Sequence, residues 1–316
     1  MSFWSGASVL VTGASGFTGS HLCRELLKEG AAVKALMKPD SKTGNLADIL
    51  QDVEVAVGSV TDLDFLLRVS RGVEYVFNPA SVVALVEAWE SPGRTFEVNS
   101  MGAYNVAAAA MRCGAKKLLS ISTCHVYGNQ PASAFPIAET AQPTPAEVYA
   151  ASKYAGEALV RSVAAQGFPV VIARAFAKFG PGQGTRFLIP SMISQAIRGA
   201  EIRLGSPKPT RDYTYITDIA RGYMKMMEKG RSGEVYHLSS QEERSVGEIC
   251  ETVRRISGGG EVIWNDTIRP NDTLRQVGNS EKARRELGWA PSVGFEEGLR
   301  LTVQWWKERL MAGTVA

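Results

Sequence analysis

Hydrophobic and polar positions follow two rhythms along roughly the first half of the chain. Short β-branched runs recur at Ser8–Thr12, Ala32–Met37, Val53–Val57, Tyr75–Asn78, Lys117–Ser122 and Pro169–Ala173, and each predicts a buried strand. Between them apolar residues fall at helical spacing. Phe17, Leu22, Leu26 and Leu27 mark a helix over Gly16–Glu29 that Gly30 stops, and further helices are predicted near Asp62–Val69, Phe96–Cys113 and Tyr149–Gln166. Strand, helix and strand in this order predict an α/β fold with a doubly wound parallel sheet and helices on both faces.

After about Phe179 the texture changes. A glycine-rich loop (180–185) precedes a helix near Ile189–Arg198 and a proline-containing loop, Gly205–Thr210. A strand over Gly233–Leu238 and helices over Val246–Ser257 and Phe295–Leu310 follow. The expected organisation is a first domain over 1–178, with 206–238 returning to it. A smaller mixed α/β substrate domain is expected over 179–205 and 239–316.

The bulk numbers narrow the partners. Of 316 residues, 45% are hydrophobic and 21% charged, an ordinary globular balance that can bury a full core. Net charge is +3 with both signs interspersed, and the absence of a basic block argues against nucleic acid as a partner. Cys23, Cys113, Cys124 and Cys250 are far apart without metal-type spacing, which predicts reduced thiols, no metal site and a cytoplasmic protein. The first apolar run, Ala7–Thr12, is too short for a signal peptide or a membrane span.

The strongest local signal is TGASGFTG, Thr12–Gly19, directly after a strand and directly before a helix. Gly13 suits the tight turn, Gly16 a close approach of backbone to a pyrophosphate, and Gly19 the packing of helix on strand. The pyrophosphate would sit on the N–H groups of the helix N-terminus. This is the dinucleotide turn of a Rossmann-type sheet, and a nicotinamide dinucleotide is the expected cofactor. NAD binders commonly end the second strand with a carboxylate, but here Met37 and Lys38 stand there and Asp40 lies further on. That favours NADP, with Lys38 on its 2′-phosphate, over NAD; the alternative is a solvated loop lysine.

Tyr149 and Lys153 are four apart near the start of a helix and share a face. An ammonium there, together with the nicotinamide charge, would bring the phenol toward working pH, so that it exchanges a proton with a substrate hydroxyl. SISTCHVYG (Ser120–Gly128) follows the fifth strand, at the sheet edge where such folds bind ligands. Thr123 is placed to bond the reacting hydroxyl. Of the three histidines, at 21, 125 and 237, His125 falls in this loop, either as an acid or base or as a loop residue satisfied by backbone. Cys124 suits packing better than nucleophilic attack.

On these residues the chain resembles the extended short-chain dehydrogenase/reductases, in their nucleotide-sugar epimerase and dehydratase branch, almost end to end. The family's glycine turn is matched by Gly13, Gly16, Phe17 and Gly19, its Ser/Thr-Tyr-Lys set by Thr123, Tyr149 and Lys153, and its Asn-x-x-Gly helix by Asn99 with Gly102 and Asn105. Arg211-Asp-Tyr-Thr-Tyr-Ile-Thr-Asp218 is similar to an Arg-Asp-aromatic segment that reaches the nucleotide diphosphate. Arg269-Pro-Asn-Asp272 is similar to an Arg-Pro-Gly-Asp segment, with arginine on diphosphate and aspartate on ribose. Lys282–Trp289 looks like the family's closing helix. The resemblance implies a cofactor site of Gly13, Ser15, Gly16, Phe17, Gly19, Lys38, Ser59, Val60, Ala80 and Asn99 together with Tyr149 and Lys153. It implies a substrate site of Thr123, Cys124, His125, Arg186, Arg211, Arg269 and Asp272, occupied by a nucleotide-diphosphate sugar.

The departures bear on the reaction. Dehydratases of this branch carry carboxylates after the catalytic threonine; here Cys124 and His125 hold those positions. Ala177 stands near the family's Asn after the sixth strand, Ser59 replaces its Asp after the third, and Asn78-Pro79-Ala80 replaces its His/Leu-Ala-Ala after the fourth. The expected activity is therefore epimerisation through a transient 4-keto sugar. The alternatives are a 4,6-dehydratase with His125 in place of the carboxylate, an NADPH-consuming 4-keto-sugar reductase, and a non-catalytic dinucleotide sensor. The resemblance also implies a homodimer that pairs the helices of Asn99–Cys113 and Tyr149–Gln166, where the alanine run 107–110 would allow close approach; a tight monomer interior explains that run equally well.

Overall fold

The computed structural model of the chain describes residues 2–199, 201–267 and 273–311. In chain order the first half runs β1 (Ser8–Thr12), α1 (Phe17–Lys28), β2 (Ala32–Met37), β3 (Glu54–Val57), α2 (Leu63–Val69), β4 (Tyr75–Asn78), α3 (Leu85–Glu90), α4 (Pro92–Phe96), α5 (Gly102–Arg112), β5 (Lys117–Thr123), α6 (Val148–Ala164) and β6 (Val170–Ala175). The second half runs β7 (Ala177–Phe179), α7 (Leu188–Ile197), β8 (Ile202–Leu204), β9 (Thr210–Tyr215), α8 (Ile216–Lys229), β10 (Val235–Leu238), β11 (Glu243–Ser245), α9 (Val246–Ser257), β12 (Val262–Trp264), β13 (Arg275–Gln276), α10 (Glu281–Leu287) and α11 (Phe295–Met311).

Seven strands form one sheet in the order β10-β6-β5-β4-β1-β2-β3, every pairing parallel. A parallel sheet must be covered on both faces, which is why β-branched runs with no polar alternation form it. On β1, Val9 and Val11 enter one core layer and Leu10 the other, as the two-residue period requires. The strand order reverses between β1 and β4, and this switch point opens the crevice that binds ligands in such sheets.

Several expectations change. The single helix expected over Phe96–Cys113 is split by a π turn, Glu97–Met101. Ala107–Ala110 are all buried within this chain, so the alanine run serves the monomer interior and not a surface open to a second copy. Of 206–238, α8 and β10 lie with the large sheet, whereas β9 is the centre of a separate four-stranded sheet with β7, β11 and β13. There the buried Asp212 carboxylate accepts from Ser240 N and Oγ, Gln241 N and Ser239 Oγ, which ties the exit of β10 to β9. All four cysteines are free thiols. Among the described residues no helix is long and apolar enough to cross a membrane, and no group of three His, Cys, Asp or Glu could hold a metal.

A buried polar chain runs under the sheet edge. Arg174 of β6 bonds both Glu157 oxygens at 2.9 and 2.6 Å and donates to Tyr127 Oη at 2.8 Å. Tyr127 Oη meets His237 Nε2 at 2.6 Å, and His237 Nδ1 lies 3.2 Å from the Asn279 carbonyl oxygen. Burial, followed by the Arg174 charge, pushes His237 down from 6.5 to about 3, and burial pushes His21 down to about 4. The unfolded chain protonates both near 6.5, so it takes up protons that the native state refuses, and stability falls as pH drops from 6.5 toward 4. Urea midpoints measured across that window are expected to fall, and His237→Gln to flatten the fall. An acid slope identical in the variant would remove His237 as its source.

Candidate active site

The glycine turn follows β1 because the chain must reverse there without side chains. Gly13 has φ +57°, and a Cβ on it would come within 2.9 Å of the Ala80 backbone. At Gly19 a Cβ would lie 2.3 Å from the Gly13 carbonyl oxygen, so α1 is seated directly on the turn. Gly16 is the N-cap of α1 and supplies no side-chain cap, which leaves the first N–H groups of the helix to a ligand. Around this cradle, the Ser15 carbonyl accepts from Asn45 Nδ2, which also reaches Gly182, and Phe17 packs edge-on to His21. Lys38 is exposed beyond β2. Ser59 Oγ meets Thr61 Oγ1 at 2.8 Å, and the buried Val60 turns its carbonyl to Asn105 Nδ2.

Asn78-Pro79-Ala80 has a local role. The Thr12 hydroxyl donates to Asn78 Oδ1 at 2.6 Å and accepts from Ala80 N at 3.2 Å, so the ends of β1 and β4 are locked at the switch point. Asn99, in the π turn, is fully engaged. Its Oδ1 accepts from Val82 N and Ser81 Oγ, while its Nδ2 donates to Val82 O and to Ser152 Oγ on α6. A π turn at a functional position is a recurring device. Here it joins the loop after β4 to the helix that carries Tyr149 and Lys153.

Thr123 ends β5, where its side chain acts on the Tyr149 phenol and favours the ionised form. Burial raises the phenol well above its ordinary value, with Thr123 opposing. The expectation that the phenol is brought toward working pH applies to a site with the nicotinamide charge; in the chain by itself burial governs the phenol. Lys153 is itself pushed down to about 8, chiefly by burial, with Glu157 opposing and Lys178 adding to the shift. Lys178 of β7, absent from the expected site, is likewise lowered by burial to about 8. No described residue hydrogen-bonds either ammonium, and such groups suit hydroxyl or anionic ligands. The open helix N-terminus, the cradle that a Cβ would fill and the unpaired Lys153 together fit a dinucleotide.

The other expected residues are placed unequally. His125 lies in the short turn after Thr123, its ring edge-on to Tyr149 with centroids 5.8 Å apart and its Nδ1 3.5 Å from Glu147 Oε1. Cys124 is buried beside Val126, Tyr127, Ile137 and Phe176, and burial pushes its thiol up to about 12. Arg186 is exposed, 3.9 Å from Glu87 and stacked on Phe187, on the loop facing the segment after β4. Arg211 donates to the Thr210 carbonyl from β9. Arg269 and Asp272 lie outside the described residues. Glu147 and Lys178 had no sequence signal, since each gains its meaning only from neighbours on other segments.

A doubly wound parallel sheet with a glycine turn on one wall of its crevice and a Thr-Tyr-Lys set on the other defines a short-chain dehydrogenase/reductase of the extended type. The chain belongs to the NAD dependent epimerase/dehydratase family, whose model matches residues 9–239. It is 30% identical over 317 residues to the dTDP-D-glucose 4,6-dehydratase of Homo sapiens, covering 95% of this chain and 90% of that one. Among solved structures it is similar to a UDP-glucose 4-epimerase of Thermotoga maritima, with UDP-glucose (TM-score 0.91, 27% identity, 96% of this chain and 99% of that one). It is also similar to a dTDP-glucose 4,6-dehydratase of Streptomyces venezuelae with NAD bound (TM-score 0.89, 27% identity, 96% and 98%).

Proposed function

We propose that this chain is a nucleotide-sugar epimerase that works through a transient 4-keto sugar. The observation that carries the reading is that Thr123, at the end of β5, acts on the Tyr149 phenol, with Lys153 one helical turn further along α6. Tyr149 receives the proton of the sugar hydroxyl and later returns it, while Thr123 holds the same oxygen. Lys153 holds ribose hydroxyls and adds positive charge beside the phenol. The dinucleotide, when bound, supplies reversible two-electron acceptance at the sugar carbon and a ring charge that favours tyrosinate. Arg211 and Arg186, with Arg269, suit the two phosphates of the substrate, and Asp272 its ribose. The missing carboxylate after β2 and the exposed Lys38 support NADP over NAD.

A second reading, a 4,6-dehydratase, is favoured by the 30% identity to such an enzyme and by the carboxylate that Glu147 brings to His125. A homodimer is supported by Val86, Trp89, Phe96 and Met101, large apolar side chains exposed on α3, α4 and the π turn.

One experiment covers these readings: native mass spectrometry of the purified protein, before and after incubation with a panel of sugar nucleotides. The expected spectrum is a dimer that retains NADP, and chromatography of the sugar nucleotides is expected to resolve a new epimer of unchanged mass. Loss of one water would establish the dehydratase, and gain of two hydrogens a reductase. No conversion of any sugar nucleotide would overturn the enzyme reading in favour of a dinucleotide sensor.

A further inference from the structure

Cys124 and His125 leave no carboxylate directly after Thr123, yet one reaches the same spot from another segment. Glu147 is the N-cap residue of α6, two positions before Tyr149, and its side chain does not cap the helix. Its Oε1 lies 3.5 Å from His125 Nδ1. That oxygen is buried and has no hydrogen-bond partner among the described residues. A buried carboxylate oxygen is costly unless an N–H or a cation closes on it, and the imidazole is the group within reach. The separation is at the outer edge of a hydrogen bond, and catalytic contacts of this kind tighten when a substrate fills the site.

The imidazole is held on two further sides. Its ring packs edge-on to the Tyr149 ring, and His125 N donates to Thr123 Oγ1 at 3.2 Å. With Nδ1 turned to Glu147, Nε2 is the nitrogen left to act, on a side chain 29% exposed. The dyad therefore stands next to the phenol and the hydroxyl that hold the sugar oxygen.

We propose that Glu147 is a positioning residue, forming an acid–base dyad in which it holds His125 so that the imidazole moves a proton at a sugar carbon next to the carbonyl. The inference rests on the keto-sugar reading above. The C–H bond at that carbon breaks and its proton goes to His125 Nε2. The electron pair forms a carbon–carbon double bond while the carbonyl pair moves onto oxygen, giving an enolate. Thr123 and Tyr149 donate to that oxygen as its charge grows. Glu147 accepts from Nδ1–H and stabilises the imidazolium. Return of a proton to the same carbon restores the ketone, with no net oxidation and no other reactant. Glu147 is the positioning residue and His125 the group that touches substrate.

The test supplies the ketone directly. The purified chain is mixed with dTDP-4-keto-6-deoxyglucose in D₂O, and NMR follows deuterium at the carbons flanking the carbonyl. The wild type is expected to incorporate solvent deuterium at one of them. His125→Ala should slow this about 10²-fold, as loss of a general base does. Glu147→Gln should slow it about tenfold or more. Glu147→Asp should keep more of the rate than Glu147→Gln, because charge at Nδ1 and not side-chain shape is what the dyad needs. No exchange above the buffer rate, or a Glu147→Gln rate equal to wild type, overturns the dyad even if His125→Ala fails to fold. Hydroxyl oxidation is followed separately by nicotinamide absorbance. Exchange without oxidation upholds the dyad and overturns the keto-sugar reading; oxidation without exchange does the reverse.

Discussion

Replacing Tyr149 with Phe is expected to lower turnover of the nucleotide sugar by about 10³-fold, with KM moving far less. The substitution removes one oxygen and keeps the ring that packs on His125, so the change isolates proton transfer. In the chain by itself burial raises that phenol, and the ring charge of a bound dinucleotide would favour the tyrosinate that accepts the proton. In the variant a hydroxyl proton on the sugar loses the acceptor that the reading above assigns to it. Lys153 lies one turn further along α6, and Thr123 is a poor base at neutral pH. The measurement is kcat by chromatography of sugar nucleotides after timed incubation. A variant within tenfold of wild type would show that Tyr149 is not the proton acceptor.

Arg174→Leu is expected to destabilise the fold by about 3–5 kcal/mol, because it leaves the Glu157 carboxylate buried without a cation, with the Ser122 hydroxyl still donating to it. Glu157 is 2% exposed and takes both of its Arg174 bonds in a layer between β6 and α6. Glu157→Leu should cost a similar amount by stranding the guanidinium. The double variant Arg174→Leu/Glu157→Leu should recover more than half of the loss, since a buried pair replaced by apolar side chains is often close to neutral. Urea midpoints of the four proteins close the cycle. A double variant as unstable as the two single losses added together would rule out the pair as the source. The site feels the same pair, because Glu157 lies one helical turn from Lys153 and its charge opposes the burial that lowers that ammonium.

The strands β1 to β6, the turn at Gly13 and the Tyr149–Lys153 spacing were legible because each depends on residues close together in the chain. Periodicity registers which face of an element is buried, and a glycine turn needs no distant partner. The helix α8 escaped notice although Ile216, Ile219, Tyr223 and Met226 recur at helical spacing, since Gly222 falls in the middle of it. Strands β7, β8, β11, β12 and β13 are two or three residues long and carry no period to detect. The alanine run at 107–110 was open to two explanations, and packing against the sheet and neighbouring helices chose the interior.

By itself, then, the order of residues along this chain determined a parallel doubly wound sheet, a dinucleotide turn and a tyrosine–lysine pair at the right edge of that sheet. Tertiary structure alone decided that Glu147 meets His125, that Lys178 enters the site, and that burial governs the Tyr149 phenol. The reason is physical: hydrogen bonding and hydrophobic period are short-range along the chain, whereas burial and the charge felt by a side chain are sums over segments that only folding brings together.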